Sequence, residues 1–242
     1  MWYVGSKNKL SKYIIPIIQK HITCDTKGYL EPFVGGANII DKIQCKNKIG
    51  CDIHKQLIEL LIKAKNDYNN IPNIITENTY NNVKNNKKDY EDWYVGLVGF
   101  CATFGAKYYG GYARSKSDKY NGEKIVMAIK NLKKQAPNLK DIEFINCSFL
   151  DLPKDKIKGY VIYCDPPYKD ITKYKTESFP YNEFYQWCRD MSENNIVLIS
   201  EYHMPEDFTC IWEKETIVNF SSNRTSKDNK NQRIERLYIF KK

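Results

Sequence analysis

Asp165, Pro166, Pro167 and Tyr168 stand together directly after the apolar run Tyr160-Val161-Ile162-Tyr163-Cys164. Two prolines in a row donate no backbone hydrogen bonds and fix a stiff, extended loop. Such a loop offers acceptors, the Asp165 carboxylate and the Pro166 carbonyl, with the flat ring of Tyr168 beside them. That combination suits an amino group carried on a planar base, with two acceptors for its hydrogens and a ring to stack on. A second group is Glu31-Pro32-Phe33-Val34-Gly35-Gly36. Glycines after a strand let a ligand approach the backbone closely, and a helix opening beyond them favours an anion at its N-terminus. A purely structural turn fits the glycine pair as well, and the full Gly-x-Gly-x-x-Gly of a dinucleotide site is missing. Asp52 ends the next strand, where a carboxylate grips ribose hydroxyls or caps the helix that starts near His54.

To act together, these residues need a parallel sheet whose carboxyl edge gathers them, as in doubly wound α/β folds. The sequence supplies candidates. Short strands are expected at Gly28 to Glu31, Lys48 to Cys51, Ile142 to Ile145, Tyr160 to Cys164 and Ile196 to Ser200, with late ones at Ile217 to Phe220 and Leu237 to Phe240. The nearly continuous apolar run at Tyr160 to Cys164 is the mark of a strand buried on both faces. A first helix is expected from an N-cap at Ser6, with Leu10, Ile14, Ile17 and Ile18 at helical spacing and a kink at Pro16. Others are expected from Ala37 to Ile43, after His54 with Leu57, Ile58, Leu61 and Ile62 on one face, and from Tyr181 to Glu193. Between the two α/β stretches, residues 66–140 are rich in Asn, Lys and Tyr, and the run from Asn81 to Lys88 reads as a solvated loop. The expected organisation is one α/β domain, 1–65 with 141–242, split by an insert of a typical small-module size.

A hydrophobic content of 42% with 14% aromatic residues is enough for a sizeable core and excludes wholesale disorder. No apolar run approaches the roughly 18 residues of a membrane span, so no membrane partner is expected. The start of the chain lacks a secretory pattern. Eight cysteines contain no CxxC pair, and the three histidines stand at no metal-ligand spacing. Reduced thiols in a cytoplasmic protein and no metal site are the expectation. The net charge of +9 favours a polyanionic partner. Two segments suit a nucleic acid. Lys107-Tyr108-Tyr109-Gly110-Gly111-Tyr112-Ala113-Arg114 interleaves cations, aromatics and glycines, with Lys107, Tyr109, Tyr112 and Arg114 as contact candidates. Residues 223–242 carry seven Lys or Arg against two acids, which reads as a DNA contact or as a solvated tail.

Tyr3-Val4-Gly5-Ser6-Lys7, Glu31 to Gly36, Cys51-Asp52-Ile53 and Asp165 to Tyr168 occur in the order seen in DNA adenine N6-methyltransferases of the Dam (D12) family, which the chain resembles. The runs from Ile199 to Phe208, Trp212-Glu213 and Glu235 to Phe240 look like a phage or bacterial branch of it. The resemblance covers roughly 1–65 and 140–242. It implies a Rossmann-like core that uses S-adenosylmethionine (SAM), with a small, mainly helical target-recognition insert at 66–140 that meets double-stranded DNA. By the same resemblance Phe33, Gly35 and Gly36 border the cofactor, Asp52 holds its ribose, and Tyr3 and Lys7 match N-terminal cofactor positions. Without it, Lys7 reads as an ordinary exposed helix residue. Asp165 then touches cofactor and target, and a flipped-out adenine gives its N6 hydrogens to Asp165 and the Pro166 carbonyl while stacking on Tyr168. The chain departs from the family at Cys147-Ser148-Phe149, where many members carry an acid before an aromatic. Ser148 or Asp151 is left for that contact, and Phe149 packs on the cofactor adenine or in the core. The same loop chemistry suits an amino group on RNA or a protein amide, and a silent DNA-binding relative is a third reading. The intact Asp165 to Tyr168 string weighs against silence, and the recognition-type insert against RNA and protein.

Overall fold

A computed structural model describes residues 1–114, 123–168, 179–217 and 232–241. Five parallel strands form the centre of one sheet: β1 (Gly28–Glu31), β2 (Lys48–Asp52), β3 (Ile142–Asn146), β4 (Tyr160–Cys164) and β5 (Ile196–Glu201). Two longer strands, β6 (Phe208–Ile217) and β7 (Gln232–Phe240), complete it, with β7 antiparallel to both β5 and β6. The strand order is β3-β2-β1-β4-β5-β7-β6. Chain direction across the sheet therefore reverses between β1 and β4, and a crevice opens outside the carboxyl ends of the strands at such a reversal.

Both faces of the sheet are covered, which explains the unbroken apolar runs. Alternate residues serve two cores: Tyr29, Val161, Tyr163 and Leu198 face one, and Leu30, Ile162, Cys164, Val197 and Ile199 face the other. The first core is built with α1 (Ser11–His21), α2 (Lys55–Asp67), α4 (Asp92–Cys101) and α5 (Glu123–Gln135). The second is built with α6 (Tyr181–Ser192), whose Phe184, Trp187, Cys188 and Met191 are buried. The helices α4 and α5 of segment 66–140 share the first core with α2. Residues Val95 to Cys101 of α4 are all buried, and a Cβ on Gly96 would stand 2.1 Å from the Gln56 carbonyl oxygen. No helix among the described residues is long and apolar enough to cross a membrane.

Several local expectations are corrected. No α-helix follows Gly36; only a 3-10 turn at Ile40–Lys42 forms. Ala37 has a φ of 55°, and the Gln135 amide draws the carbonyls of Gly36 and Ala37 out of any helical ladder by donating to both, at 3.2 and 2.8 Å. Ser6 caps a 3-10 turn at Lys7–Lys9, and α1 begins only at Ser11 and is continuous through Pro16. The run from Asn81 to Lys88 is not a loop. Most of it belongs to α3 (Glu77–Asn85), capped by Thr76 and seated on buried Tyr80 and Val83, an apolar pair at i,i+3 hidden among polar residues. Of the late strands, β6 starts nine residues before the expected Ile217, and residues 218–220 lie outside the described residues.

Candidate active site

The strings Glu31 to Gly36 and Asp165 to Tyr168 meet at the reversal of strand order. β1 delivers Pro32 to Gly36, and its neighbour β4 delivers Asp165 to Tyr168, both from the carboxyl edge. β2 brings Asp52 to the same edge, and β3 brings Cys147 to Phe149. The Asp52 carboxylate is fixed by two backbone N–H groups: Gly35 donates to Oδ2 at 3.1 Å and His54 to Oδ1 at 2.9 Å. Burial nevertheless lifts its pKa above the ordinary aspartate value, against those two bonds. The turn is tight. Gly35 has a φ of +48°, and a Cβ there would stand 2.9 Å from the Tyr3 ring. Tyr3 lies between the two halves, its phenol pushed up by burial and then by Asp52 and Asp165.

Lys7 is not an exposed helix residue. It is 7% exposed, and its ammonium lies 2.9 Å from Asp165 Oδ1, 3.8 Å from Glu235 Oε2 and 4.3 Å from the centre of the Tyr168 ring. Burial works against that charge, but Asp165 and Glu235 outweigh it and hold the pKa above the usual lysine value. Tyr168 is itself only 7% exposed. Its hydroxyl donates to Glu235 Oε2 at 3.0 Å, and Tyr202 meets it edge-on at 4.6 Å. Pro166 is buried and Pro167 exposed, with the Pro167 carbonyl accepting from the Tyr181 hydroxyl at 2.8 Å.

Phe33 and Phe149 pack together at 5.4 Å between ring centres, and each meets Phe184. Phe149 is buried and also meets Trp187, so it belongs to the second core. Ser148 and Asp151 are used in a turn: Leu150 N–H donates to Ser148 Oγ, and Ser148 N–H donates to Asp151 Oδ2, each at 3.3 Å. The DNA-contact candidates lie on one loop tied across by a Thr103–Tyr112 bridge. The Tyr109 and Tyr112 hydroxyls donate to the carbonyls of Val95 and Ile75. Lys107 and Arg114 are exposed, Arg114 pairing with Glu77. Of the C-terminal cations, Arg233 and Arg236 are built into β7, where Arg236 donates to the Tyr202 carbonyl at 2.7 Å and to Glu213. Residues 223–231 and 242 lie outside the described residues. No group of three His, Cys, Asp or Glu side chains that could hold a metal occurs among the described residues.

Tyr181, Tyr202 and Glu235 were given no individual role from the sequence, although Tyr202 and Glu235 lie in the runs that carry the resemblance. Tyr181 carried no signal beyond being an aromatic residue at the start of a helix. Ile53, named with Asp52 in the resemblance, is 76% exposed. Glu235 had a readable signal, because period two places it on the face of β7 that buries Leu237.

A sequence model of the D12 class of N6 adenine-specific DNA methyltransferases matches residues 3–226. No curated protein matches the chain in sequence. Among solved structures, one from Haemophilus influenzae, designated a methylase, is 16% identical with a TM-score of 0.35, over 98% of this chain and 96% of that one. Another, designated a methyltransferase and complexed with SAH, is 12% identical with a TM-score of 0.36, over 98% of this chain and 52% of that one; the chain thus spans about half of its length. Because the matched residues include all five parallel strands and both edge strings, the chain belongs to the D12 class of N6 adenine-specific DNA methyltransferases.

Proposed function

We propose that Asp165, Pro166, Pro167 and Tyr168 hold an adenine flipped out of double-stranded DNA, while Tyr3, Lys7, Phe33, Gly35, Gly36, Asp52, Phe149 and Asp165 shape the site for S-adenosylmethionine. The observation that carries this reading is the meeting of the acceptor loop after β4 with the glycine turn after β1, where the Tyr3 ring stands against Gly35 and Lys7 against Asp165. The residues fit the cofactor. Asp52 is aimed by Gly35 and His54 and keeps lone pairs for ribose hydroxyls, and Gly35 leaves the backbone open where a side chain would strike Tyr3. Phe33 forms the floor, with Phe149 supporting it from the core.

When bound, S-adenosylmethionine supplies a methyl group on a sulfonium cation. The chain's own work is orientation. Asp165 accepts one N6 hydrogen of the adenine and the Pro166 carbonyl the other, which leaves the nitrogen lone pair directed at the methyl. Transfer would form the N–C bond as the methyl–sulfur bond breaks to leave a neutral thioether, and the Asp165 carboxylate is placed to accept the proton that the amino nitrogen sheds. No cysteine nucleophile is needed. Holding two reactants in such alignment supplies up to about 7–11 kcal/mol.

In this reading segment 66–140 recognises the target, with Lys107 and Arg114 meeting phosphates and Tyr109 and Tyr112 bracing the loop through their bonds to α4 and the Ile75 carbonyl. Eight free cysteines suit the cytoplasm of a bacterial or phage-infected cell. The test is incubation of the protein with labelled SAM and, separately, unmethylated duplex DNA, RNA and protein. N6-methyladenine in DNA supports the reading. Label confined to RNA or protein sinks it.

A further inference from the structure

Glu235 lies on β7, beyond the residues that the family comparison matches. β7 runs antiparallel to β5 with Glu201 opposite Arg236, so Glu235 stands one residue past the carboxyl end of β5, level with the catalytic loop. Its side chain is 12% exposed. One carboxylate oxygen accepts from the Tyr168 hydroxyl and lies 3.8 Å from the Lys7 ammonium. That ammonium stands closer to Asp165, at 2.9 Å, and against the Tyr168 ring. A cation therefore occupies the acceptor and the ring that an adenine needs. With Tyr168 covered by Lys7 and flanked by Tyr202, a base reaches the ring only after one of them moves. Tyr202 is held at both ends, its hydroxyl accepting from Arg233 at 3.4 Å and its carbonyl from Arg236 and Tyr238. Lys7 has a flexible stem and a compact charge. It cannot leave Asp165 for apolar surroundings, because a buried charge stripped of its partner is strongly unfavourable. Glu235 is the second anion within reach.

Resting on the methyl-transfer reading above, we propose that Glu235 is a positioning residue: its carboxylate fixes the Tyr168 ring through the phenol and takes over Lys7 when the adenine amino group engages Asp165. Glu235 touches neither adenine nor cofactor in this scheme. It acts through Lys7 and Tyr168, and its effect falls on the DNA side of the reaction.

Glu235→Gln keeps an acceptor for the phenol and removes the charge, whereas Glu235→Asp keeps the charge. Steady-state kinetics on duplex DNA at saturating SAM, SAM binding by calorimetry, and thermal melting separate the outcomes. The expected result for Glu235→Gln is about a tenfold loss of kcat/KM for DNA, a coupling of the size found between contacting residues, with SAM affinity unchanged. Glu235→Asp recovers most of that loss. In a Lys7→Met background the Glu235→Gln penalty disappears, since no cation is left to transfer. The proposal is overturned if Glu235→Gln matches the wild type, if the Asp variant is no better than the Gln variant, or if the Gln penalty is the same with and without Lys7. Wild-type protein that methylates no DNA in the same assay overturns the underlying reading as well. A failure confined to the Glu235 variants leaves that reading standing.

Discussion

Asp165 and Asp52 carry the same functional group in different surroundings, and the proposed function gives them different work. Asp165 is paired with a buried cation and borders the target loop. Asp52 is pinned by two backbone N–H groups and lies on the cofactor side. Asp165→Ala is expected to cut kcat by at least about 100-fold, the scale seen when one preorganised polar contact is removed from an active site; single-turnover methylation at saturating SAM measures it. Because burial raises the Asp52 pKa, its carboxylate takes up a proton at higher pH than an ordinary aspartate. The ribose hydroxyls then lose a charged acceptor, so SAM affinity falls as the pH drops from neutral. Calorimetry across that range checks the sign. Asp52→Asn should bind more weakly at neutral pH and show no such fall. An affinity for SAM that holds steady on acidification would remove Asp52 from the ribose.

At the scale of elements, period and position decided what could be read in advance. The strands β4 and β5 were legible because burial on both faces leaves nearly continuous apolar runs, and Asp165 and Asp52 were legible because each stands at the end of a short strand. The helix expected after Gly36 failed for a non-local reason: Gln135, at the end of α5, takes the carbonyls that would have closed its first turn. The helix α3 was missed because two buried residues, Tyr80 and Val83, are a thin signal in a run of Asn and Lys. Phe149 and Lys7 show the same limit within the site. Nothing adjacent to either one announces that the first is core or that the second is buried between two carboxylates. The packing of α4 on α2 carries its own prediction. Gly96→Ala places a methyl into the Gln56 carbonyl, and overpacking of that kind costs about 1–3 kcal/mol. For a chain of this size each kcal/mol lowers Tm by about 2–4 °C, so calorimetry should find a loss of several degrees. An unchanged Tm would mean that α4 does not sit against α2 this closely.

Over the whole molecule the net charge is +9. Arg233 and Arg236 of the C-terminal run are committed to β7, where they reach Tyr202 and Glu213. Four lysines, Lys27, Lys46, Lys156 and Lys158, line a groove of about 650 Å³ with Tyr160 at the amino end of the sheet, away from the catalytic edge. DNA affinity should fall steeply with salt, each phosphate contact contributing about 0.9 to the slope. Replacing Lys107 and Arg114 with Gln should therefore flatten the slope by roughly two, and replacing Lys27 and Lys46 should leave it alone. The opposite pattern would place DNA on the amino edge. The most direct test of the whole is transfer itself. Labelled SAM and unmethylated duplex DNA are incubated with the wild type and with Asp165→Ala, and the DNA is digested to nucleosides. N6-methyladenosine of the deoxy series, formed by the wild type and lost in the variant, is the expected result. Label absent from adenine, or unchanged by the substitution, would contradict it.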